Sequence, residues 1–331
     1  MSTMTIDRNV APKPDVPLWN ETRWNGCWNP DAGVGIYLHA GRFRQELDLW
    51  WAQVVAYLPD GALCVQRLWG RNATDDGVAL GGLDLRMTQD GWRASYDGVG
   101  ERTSTAAMAR GVRGASAPSR AFAFTLEATA VTPVWDQRPA GGDDAPLHAG
   151  DAHIQQAFAT RGALRVGEER HDLGGIGFKD HSSGKRDFGP WRSHEFVLAV
   201  GPEWTAHLIS MAGPDGTALP PMGALITRDG AQEAITRLET VPLRDAAGAP
   251  ASGRLAFETD AGRTGSYAVE LRHAAPLSIT EDNDNMNGVS WEVDGDPVVV
   301  VEGNARLVAD DGTVLHAFHE RSMRRSLLPR P

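Results

Sequence analysis

Apolar and polar residues alternate with a period of two in segment after segment of this chain, and Asp-Gly turns stand between the segments. Residues 53–58 (QVVAYL), 121–130 (AFAFTLEATA), 195–200 (EFVLAV), 206–211 (AHLISM), 267–271 (YAVEL) and 297–302 (PVVVVE) carry the pattern. Period two puts every second side chain on one face of a strand. The punctuation is Pro59-Asp60-Gly61, Gln89-Asp90-Gly91, Pro214-Asp215-Gly216, Arg228-Asp229-Gly230 and Asp310-Asp311-Gly312. Asp-Gly between alternating runs is a hairpin signal. No long segment has a 3.6-residue period, and the best helix candidate, 230–238, is short. The pattern predicts an all-β protein, a barrel or sandwich of many short antiparallel strands.

A length of 331 residues suits two packed units of about 150 residues each. The expected layout is a disordered tail over 1–16, a first β domain over 17–172, a second over 173–325 and a short tail over 326–331. Residues 103–120 and 138–150, rich in Gly, Ala, Pro and Asp, read as surface loops or a lid. A faint echo between residues 50–61 and 204–216 agrees with two similar units in tandem. The net charge is −11, from 43 acidic and 32 basic residues. Such a chain is a poor ligand for nucleic acid or an anionic membrane. No apolar run is long enough for a membrane span, and the first residues lack a signal-type apolar region, so a cytoplasmic setting is expected. Cys27 and Cys64 belong to no metal-type cluster and are expected to be free thiols.

Tryptophan is abundant, with 11 Trp against 4 Tyr. Some of these rings, Trp50 and Trp69 among them, are candidates for lining a cavity that holds a bulky apolar ligand or steadies a cation. The densest chemistry lies in residues 171–196, HDLGGIGFKDHSSGKRDFGPWRSHEF. Two of the three lysines, Lys179 and Lys185, fall here, with Asp180, His181, Arg186, Asp187, Trp191, His194 and Glu195. Asp beside His, with Arg and a second Asp shortly after, can form an acid–base pair held by an ion pair. The same residues can equally build a structural salt-bridge and turn network.

Residues 175–187 (GIGFKDHSSGKRD), the upstream His153-Ile154-Gln155-Gln156 and residues 162–167 (GALRVG) resemble the second domain of a bacterial two-domain family with a D-H-S-x-G-x-R motif. That family is similar to the lipocalin-like group of carotenoid hydratases (hydroxyneurosporene synthase-like proteins), tocopherol cyclases and Diels–Alderases. Trp19-Asn20-Glu21 and the Pro59-Asp60-Gly61 hairpin resemble the group's first domain. The resemblance covers most of the chain and implies two tandem lipocalin-like β units with a hydrophobic cavity near their junction. It implies that Asp180 protonates an alkene, with His181 or Asp187 as helper. The chain departs from the family at Ser183, where Trp is common, and at Gln155, where Glu is common.

Protonating an unactivated alkene needs a carboxyl group kept protonated by apolar surroundings and a cation shielded by aromatic faces. Lysines close to Asp180 would oppose that state and favour His181 or His194 instead. Candidate catalytic residues are therefore Asp180, His181, Asp187 and Arg186. Candidate substrate-binding residues are Trp191, His194, His153, Gln156, Trp50 and Trp69. His316 and His319 would face opposite sides of a strand, which speaks against a shared metal, and residues 281–292 read as an Asx-rich turn rather than a calcium loop. No metal or cofactor is expected. The sequence reads as a cofactor-independent hydratase, isomerase or cyclase acting on a terpenoid- or steroid-like substrate. A non-catalytic carrier of an apolar small molecule is the alternative. Exposed edge strands are compatible with a homodimer.

Overall fold

The computed structural model describes residues 6–111, 118–137, 152–185, 187, 189, 192–240, 252–278, 288–328 and 330. Twelve strands belong to the first part of the chain. They are β1 (Trp19–Asn29), β2 (Val34–Arg42), β3 (Leu49–Tyr57), β4 (Ala62–Arg71), β5 (Gly77–Leu80), β6 (Leu83–Met87), β7 (Gly91–Ser104), β8 (Ser119–Ala130), β9 (Trp135–Asp136), β10 (Ala152–Val166), β11 (Glu169–Asp172) and β12 (Gly175–Lys185). Eight follow: β13 (Ser193–Val200), β14 (Trp204–Ala212), β15 (Met222–Thr227), β16 (Gln232–Thr240), β17 (Ser252–Thr259), β18 (Thr264–Ser278), β19 (Val298–Ala309) and β20 (Val314–Arg324). The all-β expectation holds. The segment 230–238 is no helix: β16 occupies most of it, because pairing with β15 and β17 overrides a weak local preference.

The chain divides into two compact units, Met1–Arg102 with Ala117–Asp187, and Thr103–Ser116 with Phe188–Pro331. The expected boundary at 172/173 is thereby corrected. Strand β12 belongs to the first unit because it pairs along its length with β1 on one side and β10 on the other.

Pairing in the first unit is circular. The order β10-β12-β1-β2-β3-β4-β7 continues through β8, which pairs with both β7 and β10. The inward face carries the apolar core, with Ile36, Leu38, Trp50, Val54, Trp92, Phe122, Phe124, Phe158 and Leu164. The outward face of β12, β1, β2 and β3 is also buried and bears Phe178, Trp24, Tyr37 and Trp51. The second unit is a closed barrel of β13 to β20 in sequential order, with Val197, Leu208, Leu255, Val269 and Leu307 in its core. A short helix, α1 (Thr105–Ala109), belongs to this unit. Ser104 caps it by accepting from the Ala107 amide, and Thr105 donates to the Ala274 carbonyl.

The Asp-Gly turns behave alike in both units. Gly61 (φ 80°) and Gly216 (φ 86°) adopt the left-handed conformation that favours glycine. The preceding Asp60 and Asp215 accept from the amides of Ala62 and Thr217, as Asx turns do. The sequence echo thus marks a repeated strand-and-turn unit. Of the two expected loops, 138–150 lies outside the described residues. The other, 103–120, holds the end of β7, α1 and the start of β8, with 112–117 outside the described residues. Residues 281–287 of the Asx-rich stretch also lie outside them.

Ring closure depends on close backbone approach between β8 and β10. A Cβ on Gly162 would stand 2.1 Å from the Thr125 carbonyl oxygen, whereas one on Gly70 would meet nothing within 4 Å. Gly162→Ala is expected to cost more than about 2 kcal/mol, and Gly70→Ala less than about 0.5 kcal/mol, in urea unfolding. Equal costs would show that the closing pair tolerates a Cβ.

Candidate functional site

Strand β12 sorts its polar residues by alternation. Lys179, His181 and Ser183 point inward, and Asp180 and Ser182 point outward. The Asp180–His181 pair that the sequence joins is therefore split between two faces.

The inward side meets residues 6–10, which are a strap rather than the expected tail. His181 Nδ1 lies 2.7 Å from Asp7 Oδ1 and its Nε2 3.0 Å from Glu21 Oε1. Only an imidazole protonated on both nitrogens donates to both. Arg23 donates to Asp7 Oδ2 at 2.9 Å and to the Asn9 side chain at 2.8 Å. Lys179 Nζ is 3.3 Å from Asp7 Oδ2. Arg42 donates to Glu21 Oε2 at 2.8 Å and to the Val10 carbonyl, while the Val10 amide donates back to Glu21. Arg23 and Glu21 are fully buried. Burial alone would raise the Asp7 carboxyl. The His181 hydrogen bond and the charges of Arg23, His181 and Lys179 outweigh it and hold Asp7 well below the usual range. Glu21 is lowered in the same way, burial opposing and His181 and Arg42 prevailing. Burial draws Lys179 down, against the attraction of Asp7 and Asp180. This network ties residues 7–10 to the barrel.

The outward side holds a different arrangement. Asp180 Oδ2 lies 2.9 Å from His153 Nε2 and accepts from Gln155 Nε2 at 2.8 Å. Both partners come from β10, where residues 153 and 155 share a face. The side chains of Asp180 and His153 are 13% and 11% exposed. Rings surround it. Trp24 stands opposite Asp180 on β1, Trp135 opposite Gln155 on β9, and Phe178 two residues along β12. Trp24 and Phe178 meet edge to face at 4.5 Å. A carboxylate bonded to an imidazole can hold and move one proton, and the rings can steady positive charge beside it.

The remaining sequence candidates are dispersed. Gln156 faces inward and donates to the Thr132 carbonyl, so it does not share a face with His153. Trp50 packs in the barrel core under the Arg42 guanidinium, 4.6 Å from its ring centroid, and Trp69 is 60% exposed on β4. His194 sits on β13 in the second unit, 3.2 Å from Glu320. Asp187 is half-buried; Arg186 and Trp191 lie outside the described residues. The candidates from the sequence omit Gln155, although the family comparison marks that position, and omit Asp7, Glu21 and the pair Glu195–His319, which meets at 2.7 Å inside the second barrel. The spacing of His153 and Gln155, two apart on a strand, is the signal that could have found Gln155. Cys27 and Cys64 are free and buried, with both thiols pushed up to about 12 by burial. Among the described residues no group of three His, Cys, Asp or Glu could hold a metal ion, and no helix is long and apolar enough to cross a membrane.

Residues 4–317 match the family described as domain of unknown function DUF7064. The chain belongs to this family. No curated protein matches it in sequence. Among solved structures, a Nitrosomonas europaea protein provisionally named AttH is similar at 15% identity with a TM-score of 0.60, over 94% of each chain. Kievitone hydratase from Nectria haematococca is similar at 9% identity with a TM-score of 0.52, over 93% of this chain and 89% of the other. CghA is similar at 14% identity with a TM-score of 0.52, over 95% and 90%. At these identities the likeness shows that the DUF7064 chain shares their fold.

The strap network yields a pH-dependent stability. Asp7 and Glu21 are depressed, so their contribution is complete above the ordinary carboxylate range near pH 4 and is lost as pH falls. Asp7→Ala is expected to cost about 3 kcal/mol at neutral pH, because it strands Arg23 and Lys179. In urea unfolding the gap from the unaltered chain should shrink below about pH 4. A gap independent of pH would assign the loss to packing.

Proposed function

We propose that this DUF7064 protein is an acid–base enzyme of hydratase or cyclase type that acts on a bulky, apolar, unsaturated small molecule. Asp180 and His153 form its proton-transferring pair. The observation that carries the reading is the Asp180–His153–Gln155 cluster set among Trp24, Trp135 and Phe178. The fold shared with kievitone hydratase supports it, as does the resemblance of residues 175–187 to a bacterial family distantly similar to the carotenoid hydratases.

In this reading the proton shared by the pair passes to an alkene carbon, and the π electrons form the new C–H bond. The adjacent carbon becomes cationic and lies against the ring faces, which attract it through their quadrupoles. Water adds to that carbon and returns a proton to the pair, so the cluster ends as it began. In a cyclisation, a second double bond of the substrate replaces the water and a carbon-bound proton is returned instead. Gln155 holds the carboxylate in place. Arg186 and Asp187 are kept as proposed catalytic contributors, and His181 belongs to the structural network.

The test is incubation with a panel of terpenoid, steroid and phenolic alkenes in ¹⁸O- and deuterium-labelled water, with mass analysis of extracts. A product carrying either label is expected. Asp180→Asn and His153→Gln should each slow labelling by about 100-fold or more. Unchanged ligand recovered from the protein, with no label, would replace the enzyme by a carrier. Labelling that survives Asp180→Asn and is lost in His181→Asn would move the proton station to the barrel interior.

A further inference from the structure

The strap that meets β12 crosses one end of the first barrel. Asp7 lies against His181 and Lys179 of β12 and Arg23 of β1. Two residues on, the Asn9 amide donates to the Asp75 carbonyl at 2.7 Å, and the Asn9 side chain donates to the carbonyls of Thr74 and Gly77, at the β4–β5 connection. Ile6 packs on the barrel core. The strap thus offers this end an apolar side chain next to a carboxylate, the two parts of an amphiphilic acid.

The wall at this end carries more cations than it can pair by itself. Arg23, Arg42, Lys179 and His181 are each less than a tenth exposed. The carboxylate that the wall supplies to them is Glu21, which is bonded to Arg42 and His181. Buried cations in that ratio favour a further anion, held through charge-assisted hydrogen bonds. Asp7 fills that place.

The cover that Asp7 belongs to is light. None of residues 6–10 is buried, and residues 11–18, which join them to β1, are all exposed. Leu18 (φ 59°) takes the left-handed conformation, which crowds a side chain with a Cβ. A groove of about 430 Å³ lies beside residues 9–12 and opens on Arg42 and the Trp50 ring. A second, of about 730 Å³, borders residues 12–19 and Leu47. Apolar area with a cation at its edge suits a ligand that has an apolar body and an anionic head.

We infer that this end of the first barrel is a binding site for an amphiphilic carboxylate, and that the strap is its built-in competitor. The ligand's carboxylate takes the place of Asp7, and its apolar body lies in the groove at Trp50. The site is on the inner face of the wall, away from Asp180 and His153, so it stands or falls independently of the proposed reaction. Only molecules whose strap has swung out accept the ligand, so the apparent affinity falls by the fraction of such molecules.

The experiment titrates octanoate calorimetrically into the unaltered chain and into Asp7→Asn, which keeps the shape of the side chain and removes its charge. Asp7→Asn is expected to bind octanoate at least about tenfold more tightly, because the competitor is weakened. Octan-1-ol, with the same body and no charge, should bind at least about tenfold more weakly than octanoate. In the unaltered chain, saturating octanoate should speed hydrogen exchange at the Asn9 and Val10 amides, which bonds to Asp75 and Glu21 protect, by about tenfold. Circular dichroism checks the fold of the variant, and the exchange measurement on the unaltered chain decides if the variant does not fold. Equal octanoate affinity in the two folded chains, equal binding of octan-1-ol, no binding to either chain, or bound octanoate that leaves the two amides unchanged would overturn the inference.

Discussion

Everything at the candidate site depends on β12 being wedged between β1 and β10. That strand completes the ring of the first barrel, so its two faces see different worlds. Alternation sends Lys179 and His181 inward to Asp7 and Glu21, and Asp180 outward to His153 and Gln155. A slip of one residue would exchange the sets and place the cations beside the aromatic wall. The register is held by apolar residues on the inner face and rings on the outer, both buried, so a slip would expose one and strand charges in the other.

The inner network explains how a barrel tolerates that much buried charge. Burying an unpaired ion is costly, and a paired one still carries a desolvation penalty. Arg23, Arg42 and Lys179 each meet a carboxylate, and Arg23 and Arg42 also donate to strap atoms. The strap therefore supplies both a charge and backbone partners. Its sequence gives little warning of this, because Asp7 stands among polar and Pro-rich residues that read as a tail. Only the folded barrel brings Arg23, Lys179 and His181 within reach of it.

That contrast shows what could be read before folding. Period-two runs and Asp-Gly turns are local signals, and they located the strands and hairpins of both units. The D-H-S-x-G-x-R stretch was likewise visible as a dense cluster. His153 is a candidate from the sequence, yet its pairing with Asp180, 27 residues away, and that of Asp7 with His181, 174 residues away, are not legible there. Such separations are bridged only by strand register, which a single sequence leaves open. The domain boundary failed for the same reason. Residues 173–187 follow a Gly-rich entry that looks like a new beginning, yet the strand returns to pair with β1.

The substitution at position 155 shows how register changes chemistry. Glutamate, common there in the family that this stretch resembles, would set a second carboxylate at hydrogen-bond distance from Asp180. Two such groups would have to share a proton, as like charges at that range do not both ionise readily. Gln155 instead supplies an amide N–H at 2.8 Å to the same oxygen that faces His153. The cluster then contains one carboxylate and one imidazole, and any mobile proton is shared between those two groups. Lys179, next in sequence, stays out of the hydrogen-bonding shell because its ammonium group is committed to Asp7 on the other face. Alternation places the neighbouring cation on the inner face, and the strap pairs it there, away from Asp180 and His153.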